Sequence, residues 1–321
     1  MKINYKQTIS ACFIGYIIQA IVNNFVPLLF VTFQKSYSIE LSKITVLITI
    51  NFVIQLCIDL ASAYFIDKIG YRASALIAHG CSAAGLILLT ILPELLPSAY
   101  AGIVISVIIY AIGGGLLEVL LSPIIEACPT ENKEKAMSLL HSFYCWGHMG
   151  VVLLSTAFFA IFGIENWKAL ALIWAAVPVF NGIFFTRVPI YPLVDEGEKG
   201  LTLKQLAASK TFWIMMLMMV CAGASEQSVS QWVSAFAEEG LGVSKTIGDL
   251  AGPTAFAALM GTSRLIYGKL GHRIDINKFM GFSCVLCIAA YLCISIVQNP
   301  AIELISCLLY TSPSPRDYAA S

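Results

Sequence analysis

Apolar residues run along this chain in long blocks separated by short polar breaks. The blocks cover 8–33, 44–66, 73–93, 98–125, 136–162, 167–188, 211–236, 247–267 and 278–297. A helix needs ~20 apolar residues to cross a hydrocarbon core, and each block reaches or exceeds that length. Lipid offers no partner to backbone N–H and C=O groups, so single segments cross as helices. The pattern predicts an all-α polytopic membrane protein with nine complete spans and the start of a tenth near Pro300. The first block runs on through Asn23, Asn24 and Pro27 without a small-residue cleavage pattern, so it reads as a retained span and not a signal peptide.

Composition agrees with the pattern. Of 321 residues, 58% are apolar and 12% charged, against roughly 45–50% and about 25% in soluble domains. Lys+Arg and Asp+Glu both number 19, so no basic surplus points to nucleic acid. The ten cysteines lie almost wholly inside apolar runs, and Cys284 and Cys287 have no second pair or nearby His to build a metal site. They read as small apolar residues of the spans. No Walker loop, His-Glu-x-x-His or Gly-x-Ser-x-Gly is present, so neither an enzyme nor a cofactor is expected. No charged ring or filter segment suggests a channel.

The distribution of cations orients the spans. Alternate connections carry Lys2, Lys6, Lys68, Arg72, Lys133, Lys135, Arg187, Lys199, Lys204, Lys210, Lys269, Arg273 and Lys278. The opposite connections carry only Lys35, Lys43, Lys168 and Lys245. A cytoplasmic N-terminus in the cell membrane is therefore expected. The polar stretch 191–210 follows the sixth span and reads as a cytoplasmic linker with a short surface helix. It divides a six-helix half, 1–190, from a second half, 211–306.

A local repeat supports two halves. After span two the chain reads Asp67-Lys68-Ile-Gly70-Tyr-Arg72, and after span eight Gly268-Lys269-Leu-Gly271-His-Arg273. Glycine suits a tight turn, and the cations suit the negative end of a helix. With Ala63 in place of a first glycine, the first copy resembles the loop motif of the major facilitator superfamily. That resemblance implies a two-half bundle in which Asp67, Lys68, Gly70, Arg72, Lys269, Gly271 and Arg273 gate the cytoplasmic side. Asp59 and Arg264, near that side, join the gating group.

Five spans carry polar faces. Tyr16, Gln19 and Asn23 share one face of span one, with Asn24 beside it; Asn51, Gln55 and Asp59 form a stripe on span two. Span four has Gly113-Gly114-Gly115 and then Glu118; span five has His141, Tyr144 and His148; span seven has Glu226, Gln227, Ser230, Gln231 and Trp232. Amides bonding between packed helices account for one such face. A solvated central cavity accounts for all five together. The set holds amides, carboxylates, imidazoles and aromatics but no mid-span Lys or Arg, which suits a neutral polyhydroxylated solute better than an anion. Burial favours the uncharged form of a carboxyl group, and a group poised at that balance can take up and release a proton. Glu118 is the first candidate for that role and Glu226 the second. A structural hydrogen-bonding role is the alternative for both.

The stretch from Gly113 through Glu118 to Pro123, with His141-Ser-Phe-Tyr-Cys-Trp-Gly147, resembles the fucose permease branch of the superfamily. The resemblance implies that Glu118 contacts sugar and proton. The branch's first-span acidic residue falls at or near Asn24, which cannot titrate, so strict proton symport requires Glu226 to take over that role. The reading is a secondary transporter of a small neutral polar solute, a sugar or related compound, with protons as a possible partner and a monomer as the unit. Export of amphiphilic compounds is the alternative, although Gly147 and Gly150 lack the proline of the exporter motif; a non-transporting sensor is the other. Residues 307–317 resemble a translated sequencing adapter, so 307–321 reads as a non-native tail, and the native chain as a twelve-span carrier broken within its tenth span.

Overall fold

A computed structural model of the chain describes residues 5–130, 133–191, 203–240, 242–270, 276–296 and 306. Gly271, Arg273, the region after Pro300 apart from 306, and the side chains of Asp67, Gln227, Ser230, Arg264 and Lys269 lie outside the described residues. Among the described residues the protein is helical throughout, and seven helical segments are long and apolar enough to cross a membrane.

The first block is two helices, α1 (Tyr5–Asn24) and α2 (Phe30–Tyr37), joined by a tight 3-10 turn, Val26–Leu29. Pro27 explains the break. It lacks the N–H that would bond the carbonyl of Asn23 four residues earlier. Next come α3 (Leu41–Ile69), α4 (Tyr71–Leu95), α5 (Ala99–Glu126), α6 (Lys133–Phe162) and α7 (Trp167–Phe185). A six-residue helix, α8 (Leu203–Ala208), precedes α9 (Lys210–Ala235). Block 247–267, expected as one continuous span, is interrupted. A short α10 (Lys245–Asp249) passes through a π-helical turn at Leu250–Thr254 into α11 (Ala255–Leu270). Pro253 lies in that turn and again removes a backbone donor. The last described helix is α12 (Ile276–Ile296).

The helices alternate direction. The bundle thus has a near end, with the start of α1 and the α3–α4 turn, and a far end, with α2, the start of α3 and α10. At the α3–α4 turn Gly70 has φ +86°, a value that a side chain would strain, and its N–H bonds Ile66 O at 2.8 Å. Arg72 then donates to the carbonyls of Phe185, Thr186 and Val188 at 2.6–2.8 Å, capping the end of α7.

α5 runs through the middle of the first half, and its three consecutive glycines serve three neighbours. A Cβ on Gly113 would meet Ala78 O on α4 at 2.6 Å. One on Gly114 would meet Val22 on α1 at 3.0 Å, and one on Gly115 the Cα of Gln55 on α3 at 3.0 Å. Two helices thereby come to backbone distance of α5, and α1 packs a side chain directly on it. Around them two apolar clusters fill the half: Phe25, Leu29, Phe33, Leu89 and Trp167 toward the far end, and Ile18, Leu117, Leu121 and Phe185 toward the near end. A third cluster, Cys145, Val233, Phe256 and Met260, joins α6 to α9 and α11 across the two halves.

Candidate functional site

Between the halves lies a cavity of about 500 Å³. α1 lines it with Tyr16, Gln19 and Asn23, α3 with Phe52, Gln55 and Asp59, α5 with Glu118 and α6 with His141 and Tyr144. Facing them, α9 contributes Val220, Gly223, Ala224 and Glu226. Glu118 and Glu226 therefore face one space from opposite halves. Among the described residues, no Lys or Arg lines it.

The glycine run explains how the site is built. Because α1 and α3 lie against Gly114 and Gly115, Glu118 one turn further along α5 reaches the same space as Gln19 and Gln55. Gln19 Nε2 donates to Glu118 Oε2 at 3.0 Å. Gln19 Oε1 is buried with no hydrogen-bond partner among the described residues. Buried polar atoms are nearly always paired; Gln19 lines the cavity, and a turn of its amide would bring this oxygen to a donor from solute or water. Beside it a closed amide set forms: Asn23 Oδ1 accepts from Gln55 Nε2 at 2.8 Å and from Asn51 Nδ2 at 3.3 Å, and Gln55 also reaches Asn51 Oδ1 at 3.2 Å. Tyr16 presents its ring edge-on to His141 and Tyr144, with centroids 5.5 and 6.4 Å apart, and its hydroxyl lies 3.1 Å from Ser122 Oγ. These rings give the cavity aromatic walls beside amide donors and acceptors.

Other candidates from the sequence lie around the cavity and not on its wall. Asn51 supports Asn23 and Gln55. Asn24 donates to Ala20 O at 2.9 Å and to the Tyr144 hydroxyl at 3.5 Å, so it positions a wall residue. His148 is buried but not in the lining. Gln231 Nε2 donates to Asn23 O at 3.2 Å, filling the acceptor that Pro27 leaves open. Trp232 packs on Phe30, with ring centroids 5.6 Å apart, above the cavity toward the far end. Asp59, assigned by position to the gate, lines the cavity.

Sequence reasoning missed one polar cluster at the far end. Asp249 is fully buried; it accepts from Ser234, and from Thr156 Oγ1 at 3.1 Å, while Lys245 Nζ lies 3.4 Å from Oδ2. Lys245 had counted only toward orientation. An ionisable residue inside an apolar block, four residues after a lysine, was the signal available.

A model of the Major Facilitator Superfamily matches residues 12–312. The chain belongs to the major facilitator superfamily. It is a helical, multi-pass membrane protein with the facilitator fold, as its solved neighbours also show. The E. coli fucose:proton symporter FucP, in an outward conformation, aligns at TM-score 0.71 and 15% identity, over 97% of this chain and 83% of that one. The E. coli xylose transporter XylE, partially occluded and inward open, aligns at 0.72 and 15%, over 95% and 80%. A bacterial homolog of the human lysosomal transporter Spinster, inward-facing and unoccupied, aligns at 0.71 and 15%, over 100% and 75%. No curated protein matches the sequence. At such identities the neighbours speak for the facilitator fold and not for a solute.

Proposed function

We propose that this facilitator carries a small neutral polar solute, a sugar or related compound, by alternating access, with Glu118 and Glu226 as its solute- and proton-binding carboxyl groups. The observation that carries the reading is the cavity itself. Its volume of about 500 Å³ falls within the usual range for small-molecule sites, ~300–1,000 Å³. Its lining pairs amides and carboxyls with aromatic rings and, among the described residues, holds no Lys or Arg. The amides bond hydroxyl groups, and the rings cover a C–H face. The neighbours named as fucose and xylose symporters share the fold and lend the same direction to the reading.

Coupling follows from the Gln19–Glu118 contact. An ionised Glu118 only accepts hydrogen bonds, whereas a protonated one also donates. Uptake of a proton thus changes what Gln19 and the solute meet at that oxygen. In the proposed orientation, with the N-terminus cytoplasmic, the near end of the bundle faces the cytoplasm. Arg72, Gly70 and Lys68 then lie at the cytoplasmic turn, where Arg72 holds the end of α7 in place as the gate works.

Glu118→Gln tests the proposal in vesicles under a pH gradient of either sign. The substitution is expected to abolish proton-coupled uptake of a neutral sugar and to leave solute exchange. Coupled uptake at the parent rate would overturn the proton role. Gradient-driven movement of amphiphiles out of loaded vesicles, with no sugar movement, would favour export instead.

A further inference from the structure

The first-half contacts at the far end of the bundle come from the break in the first span, from α2 and from α6. Pro27 denies Asn23 O its helical donor, and Gln231 of the second half supplies one at 3.2 Å. On the same turn Leu28 O accepts from Lys245 Nζ at 2.8 Å, again across the halves. Lys245 is held by Asp249, which α6 of the first half bonds through Thr156 and α9 of the second through Ser234. Nearer the surface, Lys35 pairs with Glu238 at 3.7 Å and Glu239 at 3.5 Å.

We propose that the Pro27 turn and the Lys245–Asp249 pair form a latch that holds the outer mouth shut while the cavity serves the cytoplasmic side. The proposal rests on the alternating-access reading and its orientation. The chemistry suits a reversible catch. A broken helical turn offers two carbonyls at fixed positions without moving any first-half side chain. The second half meets them with one amide and one ammonium group. Asp249 neutralises that ammonium group within the seam, so the pair stays together when the halves part, and the bonds to Leu28 O, Asn23 O and Thr156 break together with the surface pairs of Lys35 with Glu238 and Glu239. Opening therefore exchanges three buried polar contacts and the exposed Lys35 pairs for water and strands no charge in an apolar wall.

The test reads outer accessibility, which needs no transport. Leu28, 3% exposed, is replaced by Cys in a background with the native cysteines changed to Ser. The protein is reconstituted in vesicles, and an impermeant maleimide is added to the outer face. Loss of one charge-assisted bond shifts a two-state equilibrium by about tenfold. Asp249→Asn and Pro27→Ala are each expected to raise the labelling rate by about that factor, and Thr156→Val by less. Pro27→Ala is the deciding variant, because it restores the N–H to Asn23 O and keeps every latch side chain. Should Asp249→Asn fail to give a monodisperse protein, Pro27→Ala alone decides. An unchanged labelling rate in monodisperse Pro27→Ala overturns the latch, even where sugar binding persists. Raised labelling in a protein that binds no sugar upholds the latch and counts against the solute reading.

Discussion

The far-end seam and the central cavity are both polar, both buried and both shared between the halves, yet they treat their polar atoms differently. At the centre of the seam the polar groups close on one another: Asp249 has three partners, and Lys245 bonds both a carboxylate and a carbonyl; at its margin Glu238 Oε2 is without a partner among the described residues. In the cavity Gln19 donates to Glu118 with one end and leaves its other end open. A satisfied network fixes one arrangement, whereas an unsatisfied one waits for a partner. The seam is built to hold, and the cavity to receive.

The largest expected effect comes from breaking the seam at its centre. Asp249→Ala leaves Lys245 without its counter-charge and orphans Thr156 and Ser234. Removing one member of a buried pair costs about 3–5 kcal/mol, and the partly open Lys245 places this site at the lower end. Thermal denaturation in detergent should show the loss as a clear fall in Tm. A Tm unchanged from the parent would mean that the seam contributes nothing to stability and that the contrast with the cavity is empty.

Packing at the seam gives the next effect. A Cβ on Gly252, in the π-helical turn, would lie 2.9 Å from both Cγ atoms of Val233. Valine is stiff at χ1 and this one is buried, so Gly252→Ala should cost about 1–3 kcal/mol. In the cavity, Gln19→Leu removes one hydrogen bond but also a buried acceptor with no partner. Its stability should stay within about 1 kcal/mol of the parent, while affinity for a neutral sugar falls about tenfold. Calorimetric titration beside a melting curve separates the two. A large fall in Tm with unchanged affinity would place Gln19 with the structural groups.

Much of this contrast was legible in the sequence, and its limits have physical reasons. Block length located seven of the nine expected spans as segments long and apolar enough to cross, among the described residues, because a bilayer demands ~20 apolar residues whatever the tertiary contacts. The stripes on α1 and α3 were readable because steps of three and four residues stay on one helix face. Periodicity says which residues share a face but not what that face meets. Asn24 sits beside the α1 face and His148 shares one with His141 and Tyr144, yet neither lines the cavity, because helix tilt and the glycine crossings decide how far along each stripe the space extends. The division of labour within Gly113-Gly114-Gly115 was hidden for the same reason: three residues spaced ~100° apart on a helix meet three neighbours that no local pattern names. Asp249 went unread because its importance lies in Thr156, 93 residues away in the chain. The prolines were visible, but the helix breaks at Pro27 and Pro253 were not, since a proline within a span bends, breaks or merely sits according to what replaces its missing donor.

The smallest expected effect is at Gly223, and it is the sharpest test of the contrast. Gly223 lines the cavity on α9, and a Cβ placed there would meet nothing within 4 Å. In a helix interior alanine is favoured over glycine by about 0.8–1.0 kcal/mol in the absence of clashes. Gly223→Ala should therefore leave Tm equal or slightly raised, where Gly252→Ala lowers it, although both add one methyl group to a helical turn of the second half. The added methyl takes little from about 500 Å³, so sugar affinity should change by less than about twofold, a difference under ~0.5 kcal/mol. A fall in Tm as large as that of Gly252→Ala would mean that α9 packs against the cavity wall as tightly as it packs at the seam. The space between the halves would then be a packing gap and not a site kept open for a solute.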